Sequence, residues 1–170
     1  MKHEVWFWSK NDADCGWEWA PKERKHLHPN YMPVFRYARD VIGTLNNLVD
    51  GWIDWNMMLD RKGGPNWAKN WCVAPVIVDS DLDEVFFAPL YYTMAHFSRY
   101  IRPGSIRIGF ELSNEELMVT AVENREGSIA VLILNEYEEA KEFSIQLKNK
   151  SEQFGISGKA IQTVCIPTYE

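Results

Sequence analysis

The sequence predicts an α/β segment followed by an all-β antiparallel sandwich. Two observations support this division. All eight tryptophans lie before residue 72, in a part of the chain that alternates helical periodicity with a short apolar run. From about residue 104 tryptophan is absent, and short β-patterned runs are separated by turn residues. We therefore expect two domains, residues 1–103 and residues 104–170.

In the first domain, apolar residues recur with helical spacing between Val34 and Leu48, and Pro33 suits the first turn of that helix. Residues 51–57 then read as a short buried strand that ends in a polar cluster. A loop rich in turn residues follows at 60–66, and a second helix is predicted over residues 89–100.

In the second domain, residues 117–122 and 129–134 flank a predicted hairpin loop with Gly127 in the left-handed position. Three apolar residues alternate with polar ones in the next predicted strand: Phe143, Ile145 and Leu147. Residues 160–166 form the last predicted strand. This part of the chain is thus expected to fold as antiparallel sheets.

The composition excludes several functional classes. Of the 170 residues, 46% are hydrophobic and 25% are charged, which is typical of a globular protein. The net charge of -6 comes from scattered acidic and basic residues, so we predict no nucleic-acid partner. No apolar run approaches the ~20 residues of a transmembrane helix, so no transmembrane segment is predicted. The three cysteines form no C-x-x-C pair, which argues against zinc and disulfide sites.

Two patterns resemble metal sites without completing one. Asp79, Asp81 and Asp83 have calcium-loop spacing, but the required glycine and final glutamate are absent, so we interpret them as a solvated acidic turn. His26 and His28 lack a third ligand nearby. We therefore predict no metal and no other cofactor. His96, in the second predicted helix, is interpreted as a packed or surface residue.

The polar end of the predicted strand is the candidate site. Asp54, Trp55 and Asn56 place a carboxylate, an indole and an amide side by side, and these groups can accept from, stack on and donate to a sugar. In a β/α barrel the chemistry lies at this end of the strands. The residues alone leave a second interpretation equally open, in which Asp54 and Asn56 form a buried pair that stabilises the barrel rim.

Several longer strings carry a resemblance to a known family. They are Tyr-Ala-Arg-Asp-Val-Ile at residues 37–42, Gly-Trp-Ile-Asp-Trp-Asn at 51–56, Gly-Gly-Pro-Asn-Trp at 63–67 and the run at 95–104. Together they resemble glycoside hydrolase family 30, which includes the glucosylceramidases. The resemblance implies the last βα portion of a (β/α)8 TIM barrel, with strand eight and its flanking helices, followed by a β-sandwich. It also implies a retaining mechanism that uses two glutamates about 5–5.5 Å apart.

The resemblance also implies roles for particular residues. Trp55 would line the subsite beside the reacting sugar ring, and Asp54 precedes it in the family's pocket. Asn70 and Trp71 match positions in the loop that shapes the pocket mouth. Neither catalytic motif has a counterpart, so we expect no catalytic residue in this chain, and we interpret Asp54 as a hydroxyl-binding or structural carboxylate.

We therefore expect an incomplete glycosidase that is inactive alone. Its expected partners are a β-glucoside or glycolipid substrate and the missing N-terminal part of the same enzyme. The alternative is a non-catalytic carbohydrate-binding or structural module. The sequence does not indicate a compartment.

Overall fold

The structure is a computed structural model, and it describes residues 32–65, 74–113 and 115–167. The chain divides into two compact units, the first ending at Ala95 and the second beginning at His96. The division between residues 103 and 104 stays a prediction.

The first unit begins with helix α1, Met32–Asn46. Its buried side chains follow the predicted helical stripe and include Val34, Tyr37, Ala38, Val41 and Ile42. The helix ends where the Asn47 and Val49 amides donate to the Thr44 carbonyl and Leu48 takes a left-handed conformation with φ 62°. Because Tyr37 and Asp40 are three residues apart, α1 presents both polar groups on neighbouring turns of one face.

Residues 51–57 differ from the prediction of a buried strand. Regular pairing starts only at β1, Met58–Asp60, and residues 51–57 are irregular. Within the described residues, backbone bonding to the next strand starts at the Met57 carbonyl, which accepts from the Val76 amide at 3.1 Å. The strand prediction is therefore wrong in position, since an apolar run becomes a strand only where a neighbour pairs with it. The side chains nonetheless alternate between half-buried and exposed, as they do in extended backbone.

A small sheet and the first residues of a second helix complete the first unit. β1 pairs in parallel with β2, Val76–Asp79, and β2 pairs in antiparallel fashion with β3, Glu84–Phe87. Helix α2 spans Pro89–Tyr100, which confirms the predicted second helix. Leu90 and Met94 of α2 pack with Tyr37 and Trp52 in one apolar cluster. Neither α1 nor α2, the two helices of the described residues, is long and apolar enough to cross a membrane.

The described residues of the second unit form two antiparallel sheets, as predicted. One has the strand order β4-β5-β6-β9, and the other pairs β7 with β8. The strands are β4 Ile106–Arg107, β5 Met118–Glu123, β6 Ile129–Asn135, β7 Lys141–Leu147, β8 Lys150–Ile156 and β9 Ala160–Ile166. The predicted hairpin is β5–β6, and Gly127 in its loop has φ 84°.

Side chains from both sheets form a single core in this unit. Its buried members are Leu117, Ala121, Val131, Ile133, Ile156 and Val164, and partly buried residues of β7 and β8 pack against them. The two sheets therefore bury their apolar faces against each other, as the layers of a sandwich must.

A buried asparagine joins two loops at the end of β6. Asn135, at the end of β6, is fully buried. Its Nδ2 donates to the carbonyls of Glu139 and Ser157 at 2.8 and 3.0 Å, and its Oδ1 accepts from the Tyr137 amide at 3.0 Å. One side chain thus satisfies three backbone groups in two loops.

We expect Asn135→Ala to lower the free energy of unfolding by about 2–4 kcal/mol, because it leaves buried backbone groups without partners. Chemical denaturation followed by circular dichroism measures this change. The matched control is Asn149→Ala, at an exposed position in the β7–β8 turn, and should change stability by less than about 0.5 kcal/mol. Equal effects of the two variants would contradict the role of Asn135.

Candidate functional site

Helix α1 holds the segment around residues 52–55 through two polar contacts. The Tyr37 hydroxyl donates to Asp54 Oδ1 at 2.9 Å, and Trp52 Nε1 donates to Asp40 Oδ2 at 2.6 Å. The rings of Tyr37 and Trp52 also meet edge to face, with centroids 5.3 Å apart. Two side chains of one helix face therefore fix alternate residues of the irregular segment.

The Asp54 carboxylate is turned towards the protein. Its Oδ1 accepts from the Trp55 backbone amide at 2.8 Å as well as from Tyr37. Its Oδ2 is buried and has no hydrogen-bond partner among the described residues. Burial raises the pKa of the Asp54 carboxyl above its ordinary value, although the hydrogen bonds from Trp55 and Tyr37 oppose the rise. In this arrangement the carboxylate anchors its own chain rather than facing solvent.

The raised pKa of Asp54 links its protonation to folding. Because the folded-state pKa lies above that of the unfolded chain, the protonated form favours the folded state. This stabilising contribution is complete below about pH 3.9, the ordinary pKa of Asp, and is lost as the pH rises through the folded-state pKa.

Trp55 points the opposite way from Asp54. Its side chain is 60% exposed, and its neighbours on the same side of the segment, Ile53 and Met57, are 73% and 72% exposed. The alternation of extended backbone places these three side chains on one side. An exposed indole in an apolar strip can stack on the C–H face of a sugar ring, because such a face is itself apolar.

The four predicted binding residues fall into two groups. Asp54 and Trp55 lie within the described part of the chain, and their side chains diverge. Asn70 and Trp71 lie outside the described residues. The helical spacing of the sequence places Tyr37 in the apolar stripe of α1 and does not predict its role as an anchor. The signal was its hydroxyl, since a tyrosine in a buried helical stripe needs a hydrogen-bond partner.

Asp79 is not part of a solvated acidic turn, and that interpretation is wrong for this residue. Its side chain is 3% exposed and pairs with Arg61 at 2.8 Å, and its Oδ1 accepts from the amides of Asp81 and Leu82. Burial alone raises the pKa of Asp79, but the hydrogen bonds from Leu82 and Arg61 outweigh it, so the pKa lies below its ordinary value. Asp81 and Asp83 are exposed, as expected.

His96 is half-buried on α2 and has a structural partner. One ring nitrogen, Nδ1, lies 2.8 Å from Thr163 Oγ1 of β9. Burial lowers the pKa of His96, so the neutral imidazole is the favoured form. In the described residues, no three His, Cys, Asp or Glu side chains lie together as a metal site would require.

Family comparisons match both parts of the chain. A family model described as the glycosyl hydrolase family 30 TIM-barrel domain matches residues 12–101. A second, described as the glycosyl hydrolase family 30 beta sandwich domain, matches residues 104–164. These matches confirm the predicted fold class, a portion of a (β/α)8 TIM barrel followed by an antiparallel β-sandwich.

Individual proteins show the same similarity. A Caenorhabditis elegans protein named "Putative glucosylceramidase 4" is 38% identical over 105 residues, 61% of this chain and 20% of the relative. The lysosomal acid glucosylceramidase of Mus musculus is 38% identical over 101 residues, 59% of this chain and 20% of that protein. The chain thus covers about a fifth of the length of these two relatives.

A solved structure shares the fold at low identity. SrfJ from Salmonella typhimurium matches with a TM-score of 0.80 at 24% identity, and the match covers 83% of this chain and 32% of that one. At this level of identity the likeness concerns the fold alone.

We expect Tyr37→Phe to raise the pKa of Asp54 further, because it removes a hydrogen bond that favours the carboxylate while the carboxyl stays buried. Carbon-detected NMR titration of the Asp54 carboxyl should give a midpoint above about 3.9 in the parent chain and a higher one in the variant. Tyr92→Phe, which removes an exposed hydroxyl on α2, should leave the midpoint unchanged. A lower midpoint in Tyr37→Phe would rule out the hydrogen bond.

Proposed function

Because this chain belongs to glycosyl hydrolase family 30, we propose that it forms part of the sugar-binding wall of a retaining β-glucosidase. The proposed substrate is glucosylceramide or a related β-glucoside, which would place the enzyme in sphingolipid metabolism. The names of the two glucosylceramidase relatives support this substrate class. We also propose that the barrel portion ends at residue 103 and the sandwich starts at residue 104.

The observation that carries the proposal is the exposed indole of Trp55 on an anchored backbone. A sugar ring presents an apolar C–H face, and a flat indole of fixed orientation can cover it at a low entropic cost. Ile53 and Met57 extend the apolar surface on both sides of Trp55. Asn70 and Trp71 are proposed to shape the mouth of the same pocket.

In this proposal Asp54 stabilises the site and does not act as the nucleophile. A carboxylate that accepts two hydrogen bonds at one oxygen and buries the other is poorly placed to attack an anomeric carbon. Asp79 is paired with Arg61 and buried. The half-buried Asp54 and the buried Asp79 are thus both engaged in structural contacts.

Because neither catalytic motif of the family has a counterpart in this sequence, we propose that both catalytic glutamates are supplied from outside these 170 residues. In a retaining glycosidase one glutamate forms the glycosyl-enzyme ester while the other protonates the leaving oxygen, and later takes a proton from water. The proposed contribution of this chain is to hold the ring during both steps.

The sugar-binding role predicts that methyl β-D-glucoside shifts the Trp55 indole N–H resonance of the 170-residue chain. Trp55→Ala should weaken binding roughly tenfold, about 1.4 kcal/mol, because the stacking face is lost. The control Tyr92→Ala removes another exposed aromatic ring, on α2, and should leave the affinity unchanged. Binding that survives Trp55→Ala would refute the stacking role.

The catalytic part of the proposal predicts that the chain alone does not release the chromophore of an aryl β-glucoside. Adding the remainder of a family 30 barrel as a separate polypeptide should restore turnover if the two parts assemble. Turnover by the purified chain alone would show that its own carboxylates cleave the bond. Binding without turnover in any assembly would favour the non-catalytic carbohydrate-binding module.

A further inference from the structure

We propose that Tyr37 is a positioning residue for Trp55, acting through the Asp54 carboxylate. The hydroxyl of Tyr37 and the backbone amide of Trp55 donate to the same oxygen, Asp54 Oδ1, at 2.9 and 2.8 Å. These two hydrogen bonds form a relay that links the Tyr37 side chain of helix α1 to the backbone of Trp55. Its functional meaning rests on the sugar-binding role proposed above, but its geometry does not.

The donor end of the relay is rigid. Tyr37 is 2% exposed, and its ring lies against Trp52 and Leu90 in the apolar cluster between the helices. A tyrosine ring held by packing has a fixed hydroxyl position, because the oxygen lies on the ring axis. Tyr37 therefore sets where Asp54 Oδ1 can be.

Asp54, which accepts both hydrogen bonds, transfers that position to Trp55. Residues 51–57 lack the regular pairing of a strand, so local hydrogen bonds have a larger share in fixing this backbone. The Trp55 amide bonds to the preceding side chain, a contact that persists only while the carboxylate keeps its orientation. Loss of the Tyr37 hydroxyl would free the carboxylate to rotate, and the indole would lose its fixed direction.

A second link from the same helix provides an internal comparison. Asp40 accepts from Trp52 Nε1 at 2.6 Å, whereas the Trp55 amide donates to Asp54 Oδ1. Removal of this link should therefore disturb Trp52 rather than Trp55. The two links differ in which indole they control, and this difference separates positioning from general support of the segment.

The test compares Tyr37→Phe with Asp40→Ala in the 170-residue chain, using the indole and amide N–H resonances of Trp52 and Trp55. In Tyr37→Phe we expect the Trp55 resonances to move and its amide to exchange at least about threefold faster. In Asp40→Ala we expect the Trp52 indole resonance to move and the Trp55 amide exchange to stay within about twofold. Tyr92→Phe is the matched hydroxyl deletion and should move neither.

Methyl β-D-glucoside titrations separate this inference from the proposed function. If the parent chain binds the glucoside, Tyr37→Phe should weaken binding about three- to tenfold. If the parent chain shows no binding, the sugar-binding role is refuted. The Trp55 amide exchange rates of the variants without glucoside still show whether the relay exists. Unchanged Trp55 exchange in Tyr37→Phe, or equal changes in Asp40→Ala, would overturn the inference.

A second pair of variants covers the case in which Tyr37→Phe does not fold. Asp54→Asn keeps an oxygen for both donors, whereas Asp54→Ala keeps none. The relay requires slower Trp55 amide exchange in Asp54→Asn than in Asp54→Ala. The same exchange rate in both would overturn it.

Discussion

The geometry of the candidate site depends on which groups donate hydrogen bonds to the half-buried carboxylate of Asp54. An ionised carboxylate without partners is costly to remove from water, and Asp54 meets that requirement with one oxygen only. The donors come from a helix side chain and from the next residue's backbone. The position of Asp54 is therefore tied to α1 on one side and to Trp55 on the other.

This constraint explains why the exposed side of the segment is apolar. Extended backbone sends successive side chains to opposite sides, so fixing Asp54 and Trp52 inward turns Ile53 and Trp55 outward. The inward residues make polar contacts with α1, and the outward residues Ile53 and Trp55 are largely exposed. A shift of one residue would exchange the two sets and expose the carboxylate instead.

The elements with strong local signals could be predicted from the sequence. Helix α2 has the predicted bounds, and the β5–β6 hairpin has the predicted glycine in its loop. β8 escaped prediction because it begins with a polar run and owes its pairing to β7. The strand predicted at residues 51–57 is displaced to Met58–Asp60, because pairing with β2 is a tertiary property that the apolar run alone does not determine.

In the candidate site, too, the local sequence does not determine tertiary contacts, and here this concerns the directions of single side chains. Residue types at positions 54 and 55 indicated sugar chemistry, but they could not show which side chain faces inward. The direction is decided by Tyr37, seventeen positions earlier in the chain, whose hydroxyl selects the carboxylate as its partner. Asp54 thus supports the backbone of its neighbour Trp55, whose amide donates to Asp54 Oδ1. The contacts of Asp54 favour a structural carboxylate over a hydroxyl-binding one, because Oδ1 already accepts two hydrogen bonds and Oδ2 is buried.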